Sequence, residues 1–190
     1  IFCLSSCIYP VSPSKFPMDE TMIHESPPHY SNEGYAYAKR MLEVQCRNYN
    51  NQYGRQYICV VPVNLYGKYD NFNLEDSHVI PGLIHRMYIS KQNNLDFKMF
   101  GTGKPLRQFL YASDFAEAIL LILKSYEDKK TIIISTPEIE INDVCLMIAD
   151  ILKYEKKNIT KDLSKSDGCL KKTVSNEYFK QLYPDFNFTQ

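Results

Sequence analysis

Residues 1–9 are apolar almost without a break, interrupted by Ser5-Ser6, and read as a strand leaving a protein interior. A loop follows over about 10–33, because Pro10, Pro13, Pro17, Pro27 and Pro28 each remove a backbone donor and forbid helix or central strand. From 34 to about 53 the period changes: Ala38, Met41, Leu42, Cys46 and Tyr49 recur at spacings of three and four, and Gly54 supplies the stop. Residues 57–63 form a β-branched run of the kind buried on both faces of a parallel sheet. Strand, helix and strand in that order make a crossover unit.

After Asn64 a polar stretch runs to Asp76. A helix is then predicted over 81–90, a strand over 97–100, a turn over 101–105 and a strand over 107–111. Ser113 has the chemistry of an N-cap for an apolar helix over 114–126. A strand over 131–135 and a helix over 141–153 follow, the helix carrying Ile141, Val144, Ile148, Ile151 and Leu152 on one face. The tail to Gln190 is mixed, with no evident closing element, and no repeat or low-complexity tract occurs. The fold class is α/β.

A chain of 190 residues buries one core or two small ones. Its 22 basic and 22 acidic residues cancel, so no net field gathers nucleic acid or an anionic membrane, and any partner is read by a local site. The longest apolar run, 118–123, suits a buried helix and is far short of a membrane span. The six cysteines show neither a C-x-x-C pair nor metal-ligand spacing, so no metal is expected. Cys46, Cys59 and Cys145 lie inside apolar patterns, as small hydrophobes do, and reduced thiols in the cytoplasm are the expectation. Ile1 is not an initiator Met and stands in mid-strand with no basic flank, which argues for a fragment without a signal peptide.

Candidate chemistry begins with Ser5-Ser6 at a strand end and Tyr35-Ala-Tyr-Ala-Lys39 at a helix start. Positions i and i+4 share a helical face, and an ammonium near a phenol favours the phenolate form. A strand-end serine can donate to the same substrate oxygen, so the set reads as a proton donor for a carbonyl receiving a hydride. A lone Y-x-x-x-K is more often solvated helix surface. Here it follows a serine-bearing strand and a proline-rich loop and precedes a buried strand.

That order resembles the extended short-chain dehydrogenase/reductase family. The finer match is to its GDP-L-fucose synthases, through Ser5-Ser6-Cys7-Ile8-Tyr9-Pro10, Tyr35 to Arg40, Pro62 to Gly67, Asp70 to Asn73, Ser77 to Pro81, Gly101-Thr102-Gly103 with Arg107, and Lys165 to Gly168. The resemblance implies the C-terminal half of a Rossmann-type doubly wound parallel sheet over 1–66, with 67–190 mainly a smaller α/β domain that sends some segments back. It also implies an NADP(H)-dependent enzyme that epimerises carbons 3 and 5 of a GDP-4-keto-6-deoxy hexose and then reduces its ketone. It makes Ser5, Tyr35 and Lys39 the reductive group. It pairs Cys7 with His78 for proton exchange, either of them as base; by themselves the two could be an inert strand-end thiol and a helix-start imidazole. It sets Cys3, Leu4, Ser5, Ser6, Lys39, Pro62, Val63, Asn64, Leu65 and His78 along the cofactor, and Asn64, Arg86, Phe100, Arg107 and Asp167 against the GDP-sugar. Phe100 stands where the family often has tryptophan, which costs an indole donor. A homodimer through the 35–53 helix is implied as well. None of the seven glycines forms the G-x-x-G-x-x-G phosphate fingerprint, so this piece alone is expected to be inactive. The alternatives are another nucleotide-sugar epimerase, dehydratase or reductase, and a truncated binding relative without catalysis.

Overall fold

The computed structural model describes residues 1–189 and is a mixed α/β protein of two compact units. The first unit takes in Ile1–Leu65, Gln108–Pro137 and the segment from Lys172 to the end of the described residues. The second takes in Tyr66–Arg107 and Glu138–Lys171. In chain order the elements are β1 (Phe2–Cys3), α1 (Glu33–Tyr53), β2 (Cys59–Pro62), β3 (Asn64–Tyr66), α2 (Val79–Gln92), β4 (Phe97–Phe100) and β5 (Leu106–Tyr111). They continue with α3 (Ala112–Ser125), β6 (Ile132–Ile134), β7 (Glu138–Glu140), α4 (Ile141–Leu152), β8 (Ile159–Asp162) and α5 (Glu177–Leu182).

The first unit is built on a parallel sheet in the order β1-β2-β6, with Phe2 opposite Cys59 and Val60 opposite Ile132. Val60, Val61, Ile132, Ile133 and Ile134 are wholly buried, which is why these strands read as unbroken apolar runs. Each such side chain contributes roughly 1.5–3 kcal/mol of burial. Phe179 of α5, packed against Tyr183, Phe186 and Phe188, extends this core. The tail is closed by Asp114, whose carboxylate accepts from the Thr189 amide at 2.6 Å and the Thr189 hydroxyl at 2.7 Å. In the second unit β4 and β8 pair in parallel, Phe97 opposite Ile159. No helix of the described residues is long and apolar enough to cross a membrane.

Several elements differ from the sequence expectation. The first strand is two residues long, not nine, and gives way to a 3-10 turn over Ser6–Ile8. The cause is Ser5: its hydroxyl accepts the Cys7 amide at 3.2 Å, a local bond that competes with the sheet ladder. On α1 the buried face is Ala36, Arg40, Cys46 and Asn50, while Ala38, Met41 and Tyr49 face outward. Arg40 and Asn50 occupy that face because neighbouring backbone meets their polar groups. Arg40 donates to the Ile8 and Ser26 carbonyls at 2.7 and 2.8 Å. Asn50 donates to the Tyr57 carbonyl and accepts the Tyr57 amide, both at 2.7 Å. Ser113 is not a cap: α3 starts at Ala112, with Tyr111 at the N-cap position and no side-chain cap bond. On α4 the buried stripe is Val144, Cys145, Ile148 and Ala149, and Ile151, in the last turn, is 79% exposed.

Tyr9 is 1% exposed, and its hydroxyl has no hydrogen-bond partner among the described residues. Burial, with Glu20 and Asp19 nearby, holds this phenol protonated well above its ordinary range. A raised folded value means stability that is present below the unfolded value of about 10 and lost as pH climbs beyond it. Tyr9→Phe should leave stability at pH 7 unchanged or higher by up to about 1–3 kcal/mol, since a desolvated hydroxyl is removed. It should also flatten the alkaline loss by up to about 1.4 kcal/mol per pH unit, one proton's worth. Urea denaturation at pH 7 and across pH 9.5–11 measures both, and a destabilised Tyr9→Phe would show that the hydroxyl has a partner after all.

Candidate active site

The first unit gathers its reactive groups at the carboxyl end of β1. Because the strand stops at Cys3, residues 5–8 fold into a turn that keeps Ser5 and Cys7 half-exposed while Leu4, Ser6 and Ile8 are buried. Accepting the Cys7 amide fixes the Ser5 oxygen and leaves its own O–H free to donate. The turn rests on α1, whose Arg40 grips Ile8. From the start of the same helix Tyr35 projects with 52% of its surface exposed. Lys39, one turn later, sits with its ammonium 5.8 Å from the Tyr35 ring centroid and donates to the Cys3 carbonyl at 2.8 Å. Strand end, turn and helix thus hold a hydroxyl, a thiol, a phenol and an ammonium in one neighbourhood.

The Cys7 sulfur has one polar side-chain neighbour, the Asn32 amide nitrogen at 3.8 Å. Three of the other five thiols are of a different kind. Burial raises Cys46 and Cys59 and pushes Cys145 up to about 11, so these three behave as hydrophobes. All six cysteines are free. Of the expected cofactor-side residues, Pro62 and Val63 are buried, Leu65 is half-buried, and exposed Asn64 donates to the Gln108 carbonyl at 2.9 Å.

The second unit carries a cavity of about 320 Å³ whose lining includes His78, Arg86, Phe100, Arg107, Ser166 and Asp167. His78 stands at the N-cap position of α2, exposed, with no side-chain cap bond. The Arg86 guanidinium lies 4.2 Å from the Phe100 ring centroid, a cation–aromatic stack, and its Nε donates to the Gly82 carbonyl at 3.2 Å. Its Nη1 is buried without a partner among the described residues. Arg107 donates to the Leu106 carbonyl at 2.8 Å. Burial lowers both arginines from their ordinary range; each guanidinium stays charged, so the lining holds two fixed cations alongside the carboxylates of Glu75 and Asp167.

Asp167 is already engaged. One carboxylate oxygen accepts the Thr102 amide and the other the Thr102 hydroxyl, each at 2.7 Å, and these bonds hold its carboxyl below the usual range. Its first task is to clamp the turn after Phe100. Sequence reasoning missed Asn32, Arg40 and Thr102. For Arg40 the signal was available: an arginine at the i+4 position from Ala36, on the buried stripe.

A model of the NAD dependent epimerase/dehydratase family matches residues 1–135 of this chain. The GDP-L-fucose synthase of Dictyostelium discoideum is 50% identical over 192 residues, which are 100% of this chain and 59% of that protein. A probable GDP-L-fucose synthase of Drosophila melanogaster is 44% identical, with 100% and 61% covered. Among solved structures, a GDP-L-fucose synthetase from Naegleria fowleri bound to NADP superposes with a TM-score of 0.93 at 42% identity, covering 99% of this chain and 60% of that one. The chain therefore spans about three fifths of the length of these relatives.

The turn gives a prediction. Gly101 has φ of 73°, and a Cβ there would meet Asp167 Oδ1. Gly101→Ala should cost more than about 1 kcal/mol, from left-handed strain and a displaced carboxylate together. A depressed carboxyl contributes stability that is present above its unfolded value of about 3.9 and lost as pH falls below it. Thermal melts between pH 7 and 3 should show a shallower acid loss in Thr102→Val than in wild type, and parallel curves would remove the clamp.

Proposed function

The chain belongs to the NAD dependent epimerase/dehydratase family, and we propose that the whole protein converts GDP-4-keto-6-deoxy-D-mannose into GDP-L-fucose with NADPH. What carries this reading is the turn that sets a thiol two residues beyond a serine hydroxyl, beside a helix presenting a phenol and an ammonium. A simple reductase has no use for that thiol. Relatives named as GDP-L-fucose synthases, at 50% and 44% identity over the full chain, support it.

The strand-end face fits a nicotinamide nucleotide: Lys39 keeps N–H groups beyond the one given to Cys3, for ribose hydroxyls, and Cys3 to Ser6 with Pro62 to Leu65 would border the ring. NADPH, when bound, supplies a hydride to the carbonyl carbon. The protein's part is proton management. Protons on the carbons flanking a ketone are acidic because the electron pair left behind becomes an enolate. The family resemblance assigns this exchange to Cys7 and His78: a base takes a proton from carbon as the C–H pair moves toward the ketone oxygen, and an acid returns a proton to carbon. Ser5 and Tyr35 hold that oxygen by donated hydrogen bonds during exchange. When the carbonyl carbon has gained its hydride, the Tyr35 O–H protonates the alkoxide, and Lys39 stabilises the phenolate left behind. In the second unit, the Arg86 and Arg107 guanidinium groups on the cavity lining are suited to a diphosphate. The Phe100 face can stack on a base or a sugar.

Tyr37, Met41, Tyr49 and Tyr53 are 44–57% exposed along α1, and we read this helix as the contact of a homodimer. The free thiols suit a reducing compartment, the cytoplasm.

In the full-length protein, Tyr35→Phe should lower the rate of NADPH-dependent reduction about 10²–10⁴-fold. Cys7→Ser should stop incorporation of solvent deuterium at carbons 3 and 5, read by NMR of the sugar. Intact deuterium exchange in Cys7→Ser would return the site to a plain reductase. Separately, Met41→Glu should shift the protein from dimer to monomer in sedimentation velocity, and an unchanged mass would move the interface away from α1.

A further inference from the structure

Asn32 occupies the N-cap position of α1, a place where asparagine normally turns its side chain back onto the first amides of the helix. Here it makes no such bond. Its amide nitrogen reaches instead across 25 residues of sequence to Cys7 Sγ at 3.8 Å. A side-chain cap normally favours the helix, so the local choice of the side chain runs against helix stability. The turn just before shows the ordinary behaviour: at Tyr30–Asn32 the His29 ring accepts the Ser31 amide. The Asn32 side-chain oxygen thus leaves the first helix amides unserved, while its nitrogen reaches a half-exposed thiol on the turn that also carries Ser5.

We propose that Asn32 is a positioning residue for proton exchange: its N–H holds the Cys7 sulfur in one orientation. The thiol is then kept aimed at carbon while the Ser5, Tyr35 and Lys39 group acts on oxygen. The two side chains have different loads. Asn32 acts through sulfur alone, so its loss falls on exchange and leaves hydride transfer untouched. This rests on the functional reading above, and the test separates the two.

In the full-length protein two half-reactions are compared. Exchange is followed as solvent deuterium entering the 4-keto substrate with NADP present. Hydride transfer is followed as single-turnover oxidation of GDP-L-fucose by NADP, which inverts no centre. Asn32→Ala and Asn32→Asp should each slow exchange tenfold or more and leave hydride transfer within about twofold; Asp keeps the shape but has no N–H. A general structural role would slow both half-reactions together, and that result, or full exchange in Asn32→Asp, overturns the proposal. A readout independent of turnover is alkylation of Cys7 by iodoacetamide, located by peptide mass spectrometry. It should slow at least threefold in Asn32→Asp and not in Asn48→Ala, a surface control on the same helix. A wild type inert in both half-reactions with altered alkylation would sink the functional reading and keep the Asn32–Cys7 contact; unaltered alkylation would sink the contact itself.

Discussion

Arg40 is a buried guanidinium with no carboxylate partner among the described residues, and the reactive turn and helix are built around it. It is 6% exposed, and its described hydrogen bonds go to two backbone carbonyls, Ile8 of the strand-end turn and Ser26 of the proline-rich loop. Burying a cation is costly, and charge-assisted bonds of about 1.5–3 kcal/mol each are what offset it. The consequence is geometric. Ser5 and Cys7 sit on a piece of chain with little secondary structure of its own, and Tyr35 and Lys39 sit on a 21-residue helix. The forked guanidinium fixes one against the other with the directionality of two planar donors, where a lysine would supply a point charge.

The same preference for polar fixation explains what could be read from the sequence. The buried strands around Val60 and Ile133 were legible because an unbroken β-branched run has few other uses, and β4 falls where the alternation of Phe97 to Phe100 puts it. The helices were legible in place and less so in orientation. A hydropathy pattern assigns the inner face of α1 to Met41 and Tyr49, yet Arg40 and Asn50 hold it, since a polar group with its bonds met is as admissible inside as a methyl. Likewise the first strand looked long because the pattern sees Ile8 and Tyr9 as apolar, and both are buried; what it cannot see is that Ser5 captures the Cys7 amide and ends the ladder. Ser5, Cys7, Tyr35 and Lys39 were found by motif, while Asn32 and Thr102 act through contacts 25 and 65 residues away in sequence, beyond any periodicity.

The second unit makes its site by a related device. Phe100 is an exposed aromatic at a strand end, with Arg86 on its ring and Lys165 approaching at 5.9 Å. The turn that follows needs two glycines at positive φ, Gly101 and Gly103, and the Asp167 clamp on Thr102 holds that turn in register. An aromatic ring that already carries a cation is stiffer than a free one. A ligand meeting it finds the platform set, so less ordering remains to be done on binding.

The hydrogen bonds of Ser5 also bear on its role as a donor. A serine hydroxyl can accept as well as donate, and a free one would divide its proton among whatever acceptors came near. By taking the Cys7 amide at 3.2 Å the Ser5 oxygen spends one of its two acceptor lone pairs on the turn, which narrows the directions left to its proton. The bond that ends β1 is therefore also the bond that makes Ser5 a more directed donor. Shortening the strand and aiming the hydroxyl are one event, and a sequence that extended the ladder through residue 5 would lose both.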